Sequence, residues 1–195
     1  MIKGASIMTK LYSYVVDHDE GFAPHPTSRY CTLAWCKYKT ERWNSRNVVE
    51  LADKGDWVVG TGGVSGKSAG WGNLIYAMRV DEKLTLADYC KDKRFASRFD
   101  AKPDPARKDR YALISGHFFY FGCDAEPIPA RFRNHPLEKS GPGFRYKNFT
   151  EEFISDFVSW LESSFKAGMN GEPCKPNPNF RKPRCTSKKR RKECP

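Results

Sequence analysis

Residues 55–80 constrain the fold most strongly, because they predict two strands joined by a loop. Residues 57–61 and 73–80 are rich in β-branched and aromatic side chains, and Gly55 and Asp56 form a turn ahead of the first run. The loop between the two runs consists mainly of small residues. An isolated strand pair is only marginally stable, so the rest of the chain is expected to pack around this one.

The other periodic segments extend this pair into an α+β domain. A further strand is predicted at residues 11–16, and residues 111–115 and 117–121 are predicted to form one or two strands separated by Gly116. A short helix is predicted at residues 85–90. The clearest helix begins at residue 151, where Thr150 can cap its first turn, and Gly168 can end it. We predict a curved, mainly antiparallel sheet or a partly closed barrel, with this C-terminal helix packed on it.

Charge divides the chain into a domain and a tail. The net charge is +11, and residues 174–195 contribute +8 of it, with nine basic residues against Glu193. We expect a flexible leader at residues 1–10, one domain at 11–171 and a disordered basic tail at 172–195. No apolar run reaches the length of a membrane span and no secretory signal is evident. These features predict a cytoplasmic protein, associated with the nucleoid, or with the nucleus in a eukaryotic source, and without a membrane partner.

The spacing of the cysteines argues against a zinc site, and the sequence of the glycine-rich loop argues against a nucleotide-binding phosphate loop. Seven cysteines without a secretory signal favour reduced thiols, and their spacing completes no zinc site, so neither metal nor cofactor is predicted. Residues 61–68 lack the first glycine of a phosphate loop, since Thr61 stands in its place, and a strand rather than a helix follows. The loop amides and Lys67 still suit contact with a nucleic-acid backbone.

Nucleic acid is therefore the predicted partner, with DNA the expected form. The tail supplies basic side chains that bind phosphates without sequence preference. These predicted backbone contacts are Lys67, Lys175, Arg181, Lys182, Arg184, Lys188, Lys189, Arg190, Arg191 and Lys192. An unstacked base is commonly held against aromatic rings, and aromatic residues cluster around the predicted central strands. The predicted base pocket, bounded by residues 61–72 and 17–26, comprises Tyr14, Phe22, Trp57, Thr61, Trp71 and Tyr76.

Catalysis remains an open alternative, because the sequence contains no complete catalytic motif. Cys31 could act as a nucleophile beside His25 or His117. Whether any such pair meets in space depends on the fold. An enzyme that modifies, removes or cuts at a modified base is thus the rival of a binding module, and a structural protein whose tail binds acidic partners is a third possibility.

Several segments together resemble a known family. In chain order they are residues 13–16 (SYVV), 21–26 (GFAPxP), 30–37 (YCTLAxCK), 55–62 (GDWVVGTG), 74–80 (LIYAMRV), 118–122 (FxYFG) and 128–129 (IP). Over residues 11 to about 168 the chain resembles the second type of nucleotide-modification-associated domain. That resemblance implies a setting in bacterial and phage systems that install or handle modified DNA bases. The family tends to an acidic residue where this chain has Gly116, and a Gly-His-Arg-like segment ahead of the last helix looks replaced by Gly143-Phe144-Arg145.

A second resemblance concerns topology alone. The succession of strand, Gly-Asp turn and strand is similar to the small barrels of the pseudouridine-synthase-associated (PUA-like) type. Some of these barrels read modified bases in an aromatic cage. The resemblance implies a pocket beside Tyr14, Trp57, Thr61 and Trp71.

Overall fold

A computed structural model provides the structure of the protein. It describes residues 8–34, 47–65, 68–98, 100–102, 110–133, 137, 143–147 and 149–174. Residues 1–7 of the predicted leader and residues 175–195 of the predicted tail lie outside this description.

The described part contains eleven strands and four α-helices. The strands are β1 (Leu11–Val16), β2 (His25–Pro26), β3 (Cys31–Leu33), β4 (Trp57–Gly62), β5 (Asn73–Arg79), β6 (Glu82–Thr85), β7 (Tyr111–Ser115), β8 (Phe118–Tyr120), β9 (Glu126–Pro127), β10 (Phe144–Arg145) and β11 (Gly168–Met169). The helices are α1 (Val48–Leu51), α2 (Leu86–Lys91), α3 (Ala130–Arg133) and α4 (Glu151–Ser164). The α+β class is confirmed.

The larger sheet is open and mixed. Its strands lie in the order β10-β1-β4-β5-β8-β11, and β9 pairs with β5. Most pairs are antiparallel, but β1 runs parallel to β4 and β11 runs parallel to β8. The alternative of a partly closed, PUA-like barrel is not confirmed, because the sheet formed by the described residues is not closed: its edge strands β10 and β11 do not pair with each other. One face of the large sheet is instead covered by a second sheet.

The second sheet has the order β2-β3-β7-β6. Its inner face contributes Cys31, Leu33 and Leu113 to a core that also holds Tyr14 and Tyr76 of the large sheet. On its outer face, residues of α2 and the segment after it form a separate apolar cluster. The opposite face of the large sheet packs against α4. The layers therefore succeed one another as α4, large sheet, small sheet and α2.

Helix α4 confirms the prediction for the C-terminal region. Thr150 accepts a hydrogen bond from the Phe153 amide at 3.2 Å and so caps the first turn. The buried side chains recur every three or four residues, at Phe153, Ile154, Phe157 and Leu161. The helix ends at Ser164 rather than near Gly168, because Gly168 belongs to β11.

Among the described residues, no helix combines the length and apolar character that crossing a bilayer requires.

Candidate nucleic-acid interface

Two tyrosines meet above a glycine in the large sheet. Tyr14 and Tyr76 both pair in register with Gly60, which lies between them on β4. Because Gly60 has no side chain, the two rings approach with their centroids 6.1 Å apart, and their hydroxyls are 2.6 Å apart. Both tyrosines are at most 1% exposed. They form part of the core between the sheets, where the small sheet covers them.

A carboxylate continues this buried polar row. The hydroxyl of Tyr120, whose Cα pairs with that of Tyr76, donates to Asp19 Oδ2 at 2.5 Å, and the Gly21 amide donates to Asp19 Oδ1 at 3.1 Å. Burial raises the pKa of Asp19, although these hydrogen bonds lower it in part. The loop between β1 and β2 is therefore fastened inward at Asp19, and Phe22 in the same loop is half-buried.

Trp57 lies on the other side of the large sheet. It packs in the cluster that α4 covers, and its ring meets that of His117 at 5.7 Å between centroids. Thr61 is buried, and its hydroxyl donates to the Tyr14 carbonyl at 3.4 Å. The structure thus brings Tyr14 and Tyr76 together but places Trp57 across the sheet from them.

Trp71 is the aromatic member of the predicted pocket that faces solvent, with 58% of its surface exposed. The loop that carries it is nevertheless held firmly. Ser68 Oγ accepts from the Gly63 amide and donates to the Val16 carbonyl, each at 2.7 Å. The Asn73 side chain donates to the Ala69 carbonyl at 2.8 Å. Trp71 is therefore presented to solvent on an ordered support, while Lys67 of this loop lies outside the described residues.

The same loop depends on a close approach between two glycines. A Cβ atom on Gly62 would lie 1.9 Å from the carbonyl oxygen of Gly70, a separation that no side chain tolerates. Gly70 itself has a φ of 91° and Gly72 a φ of 83°, both in the region that favours glycine. These glycines set the backbone on either side of Trp71.

His25 belongs to a network on the outer face of the small sheet. Its Nδ1 lies 2.9 Å from Asp100 Oδ1. Asp100 Oδ2 also accepts from the hydroxyls of Thr32, at 3.0 Å, and Tyr89, at 2.8 Å. Arg98 Nη2 donates to the His25 carbonyl at 2.6 Å. The network fastens the β2–β3 hairpin to the segment that follows α2.

The network also sets the protonation of its members. Burial lowers the pKa of His25, and this effect outweighs the opposing influence of the Asp100 carboxylate. Burial alone would raise the pKa of Asp100, but the hydrogen bond from His25 and the charge of Arg98 outweigh it, and this pKa is lowered. His25 Nδ1 also accepts a hydrogen bond from Arg98 Nε at 3.4 Å.

The three candidate catalytic residues are placed apart. His25 pairs with Thr32 and Pro26 pairs with Cys31, so Cys31 and His25 project from opposite faces of the small sheet. Cys31 is fully buried, and burial raises the pKa of its thiol, as expected of an unreactive core cysteine. His117 lies on the α4 side, with Nε2 3.0 Å from Glu162 Oε1. No group of side chains among the described residues has the arrangement of a metal site.

Sequence reasoning missed one feature, a cavity rich in arginine. Its volume is about 240 Å³, and it opens between the turn that joins β2 to β3 and the segment after α2. The residues that line it are Thr27, Ser28, Arg29, Tyr30, Arg94 and Arg98. These positions are scattered over two loops and form no motif, so only the fold brings them together.

Comparison with known proteins identifies a family. A family model described as nucleotide modification associated domain 2 matches residues 8–109 and 101–179. No curated protein and no solved structure matches the chain.

Proposed function

Because the chain belongs to the nucleotide modification associated domain 2 family, we propose that it binds nucleic acid, with DNA the expected form, and holds an unpaired or modified base against Trp71. The family description suggests a role in nucleotide modification pathways. Recognition of a base by this chain is our own extension of that role.

The observation that carries the proposal is the exposure of Trp71 on a fastened loop. An indole offers a broad apolar face, and stacking a base on an aromatic ring contributes about 1–3 kcal/mol per base. A support that is ordered before binding avoids part of the entropic cost of ordering a loop. Tyr14 and Tyr76 belong to the core between the sheets and are not proposed to stack on a base, since both are buried.

The test compares variants of the full chain by fluorescence anisotropy with labelled single-stranded and duplex oligonucleotides, plain and base-modified, over a salt series. Trp71→Ala is expected to weaken binding of the preferred strand about tenfold, and Trp71→Phe is expected to retain most of the affinity. Tyr111→Ala is the matched control, because Tyr111 is an exposed aromatic residue of β7 outside this loop. Equal affinities of Trp71→Ala and the unmodified protein would overturn the proposal.

The basic tail is assigned a separate role. Replacement of Lys188, Lys189, Arg190 and Arg191 by Gln is expected to weaken all strands alike and to reduce the dependence of affinity on salt. The preference between plain and modified strands should survive this change. Loss of the preference would place base discrimination in the tail instead of at Trp71.

An enzyme is the second candidate function, and one observation favours it. His25 Nδ1 lies 2.9 Å from Asp100 Oδ1, and such a close imidazole–carboxylate pair is common in general-base catalysis. A thiol mechanism lacks such support, since Cys31 and His25 project from opposite faces. Mass spectrometry of the strands recovered from the binding assay distinguishes the two functions, because an enzyme changes the mass of the strand and a binding module returns it intact.

A further inference from the structure

The arginines that line the cavity differ in whether carboxylates neutralise their charge. Arg94 is a fixed support, since its guanidinium contacts Glu82 at 2.6 and 2.8 Å and Asp92 at 2.7 Å. These carboxylates neutralise its charge and occupy most of its N–H groups. Arg94 therefore shapes the cavity without offering a free cation to a ligand.

Arg98 and Arg29 present N–H groups that are still available. Arg98 is held along one edge, where Nη2 donates to the His25 carbonyl at 2.6 Å and Nε lies 3.5 Å from Asp100 Oδ1. Its side chain is only 8% exposed, and its contacts within the described residues engage Nη2 and Nε, which also donates to His25 Nδ1 at 3.4 Å. Arg29 is exposed and forms no ion pair within the described part of the chain.

The surroundings of these two guanidinium groups are polar and donor-rich. Ser28 adds a hydroxyl group, whereas the Thr27 hydroxyl fixes the turn by donating to the Tyr30 carbonyl at 2.9 Å and accepting from its amide at 3.1 Å. None of the residues that line the cavity is acidic. Arginine N–H groups match the oxygens of a phosphate in spacing and charge.

We propose that this cavity is a phosphate-binding site, in which Arg98 and Arg29 hold the oxygens of one phosphate group and Ser28 donates a further hydrogen bond. A cavity of about 240 Å³ is large enough to hold a phosphate group. The site goes beyond the stacking surface at Trp71. The assignment of its phosphate to a nucleic-acid strand rests on the proposed function, whereas the affinity for phosphate itself does not.

The experiment follows the backbone amides of residues 28–30 in the full-length ¹⁵N-labelled protein by NMR. Three probes are titrated separately: inorganic phosphate, deoxycytidine and deoxycytidine 5′-monophosphate. Phosphate and the monophosphate are expected to shift these amides with saturation, and the nucleoside is expected to leave them unchanged. A response to the nucleoside equal to that of the monophosphate would overturn the site.

Substitutions then locate the bound phosphate. Arg29→Gln is expected to raise the Kd for the monophosphate about tenfold, because a charge-assisted hydrogen bond is lost at an exposed residue that the fold does not need. Arg145→Gln removes the same charge from an exposed position on β10 and is the matched control. An equal effect of both substitutions would mean that phosphate is attracted by overall charge and would overturn the proposal.

The same variants separate this site from the proposed function. Trp71→Ala should weaken binding of oligonucleotides and leave the Kd for inorganic phosphate unchanged. If Arg29→Gln weakens phosphate binding but not oligonucleotide binding, the site holds a free nucleotide or phosphate, and its assignment to the strand is overturned. If Trp71→Ala leaves oligonucleotide binding unchanged while Arg29→Gln weakens phosphate binding, the proposed function is overturned and the phosphate site is retained.

Discussion

Gly60 determines how closely Tyr14 and Tyr76 can approach. A Cβ atom at this position would lie 2.3 Å from Tyr76 Cε1 and 2.7 Å from Val16 Cγ2. Gly60→Ala is therefore expected to lower the free energy of unfolding by about 1–3 kcal/mol, since overpacking forces buried side chains to shift. Urea unfolding measures the change.

Gly116→Ala is the control for this substitution. Gly116 is exposed, and its Cβ atom would meet only Asp81 Oδ2 at an ordinary distance of 3.5 Å. A loss of stability in Gly116→Ala as large as that in Gly60→Ala would contradict the assignment of the effect to the tyrosine pair.

Single residues also show where sequence reasoning stops. Trp71 could be selected from the sequence, because a large aromatic residue among glycines has no obvious place in a core. The separation of Cys31 from His25 could not be foreseen, because it depends on the register of β2 against β3. A register shifted by one residue would have put the thiol and the imidazole on the same face.

At the scale of elements, the outer network of the small sheet makes stability depend on pH. His25 has an ordinary pKa of 6.5 in the unfolded chain and a lower one when folded, because it is buried. Below pH 6.5 the unfolded state therefore binds more protons, and stability falls by up to about 1.4 kcal/mol per pH unit until the folded pKa is reached. Above pH 6.5 this contribution is fully present.

His25→Gln removes that titration and retains an N–H group that can face Asp100. The variant is expected to show a flatter dependence of unfolding free energy on pH between 7.5 and 5 than the unmodified protein. His18→Gln is the control, because His18 is exposed in the loop that joins β1 to β2. An unchanged slope in His25→Gln would show that another group causes the loss of stability in acid.

The elements themselves were predictable where they are long and periodic. Strands β1, β4 and β5 and helix α4 follow from alternation or helical spacing, and the capping role of Thr150 follows from its position. Strands β2, β9, β10 and β11 are two residues long and leave no periodic signal. The parallel pairing of β1 with β4 was also out of reach, because alternation shows that a strand exists but not which neighbour it takes or in which direction.

At the scale of the whole molecule, the layered order explains why the predicted site residues scatter. Tyr14 lies between the two sheets, Trp57 lies between the large sheet and α4, and His25 lies outside the small sheet. The composition of the chain suggested that these aromatic and histidine residues form one site, whereas the fold places them in different layers. The arginine cavity illustrates the converse, since residues from two loops meet only after the small sheet has formed.

The position of β1 has a consequence for the order in which the chain can fold. It precedes both of its neighbours in the chain, yet it lies inside the large sheet, where Leu11 pairs with Trp57 and Tyr14 pairs with Phe144. Neither neighbour is a local hairpin partner, so two long loops must close before β1 is held on both sides. We expect refolding on the scale of milliseconds to seconds in a stopped-flow experiment, as for other chains dominated by distant pairings. On the ribosome, β1 emerges before either neighbour and cannot be held on both sides until β10 has been synthesised.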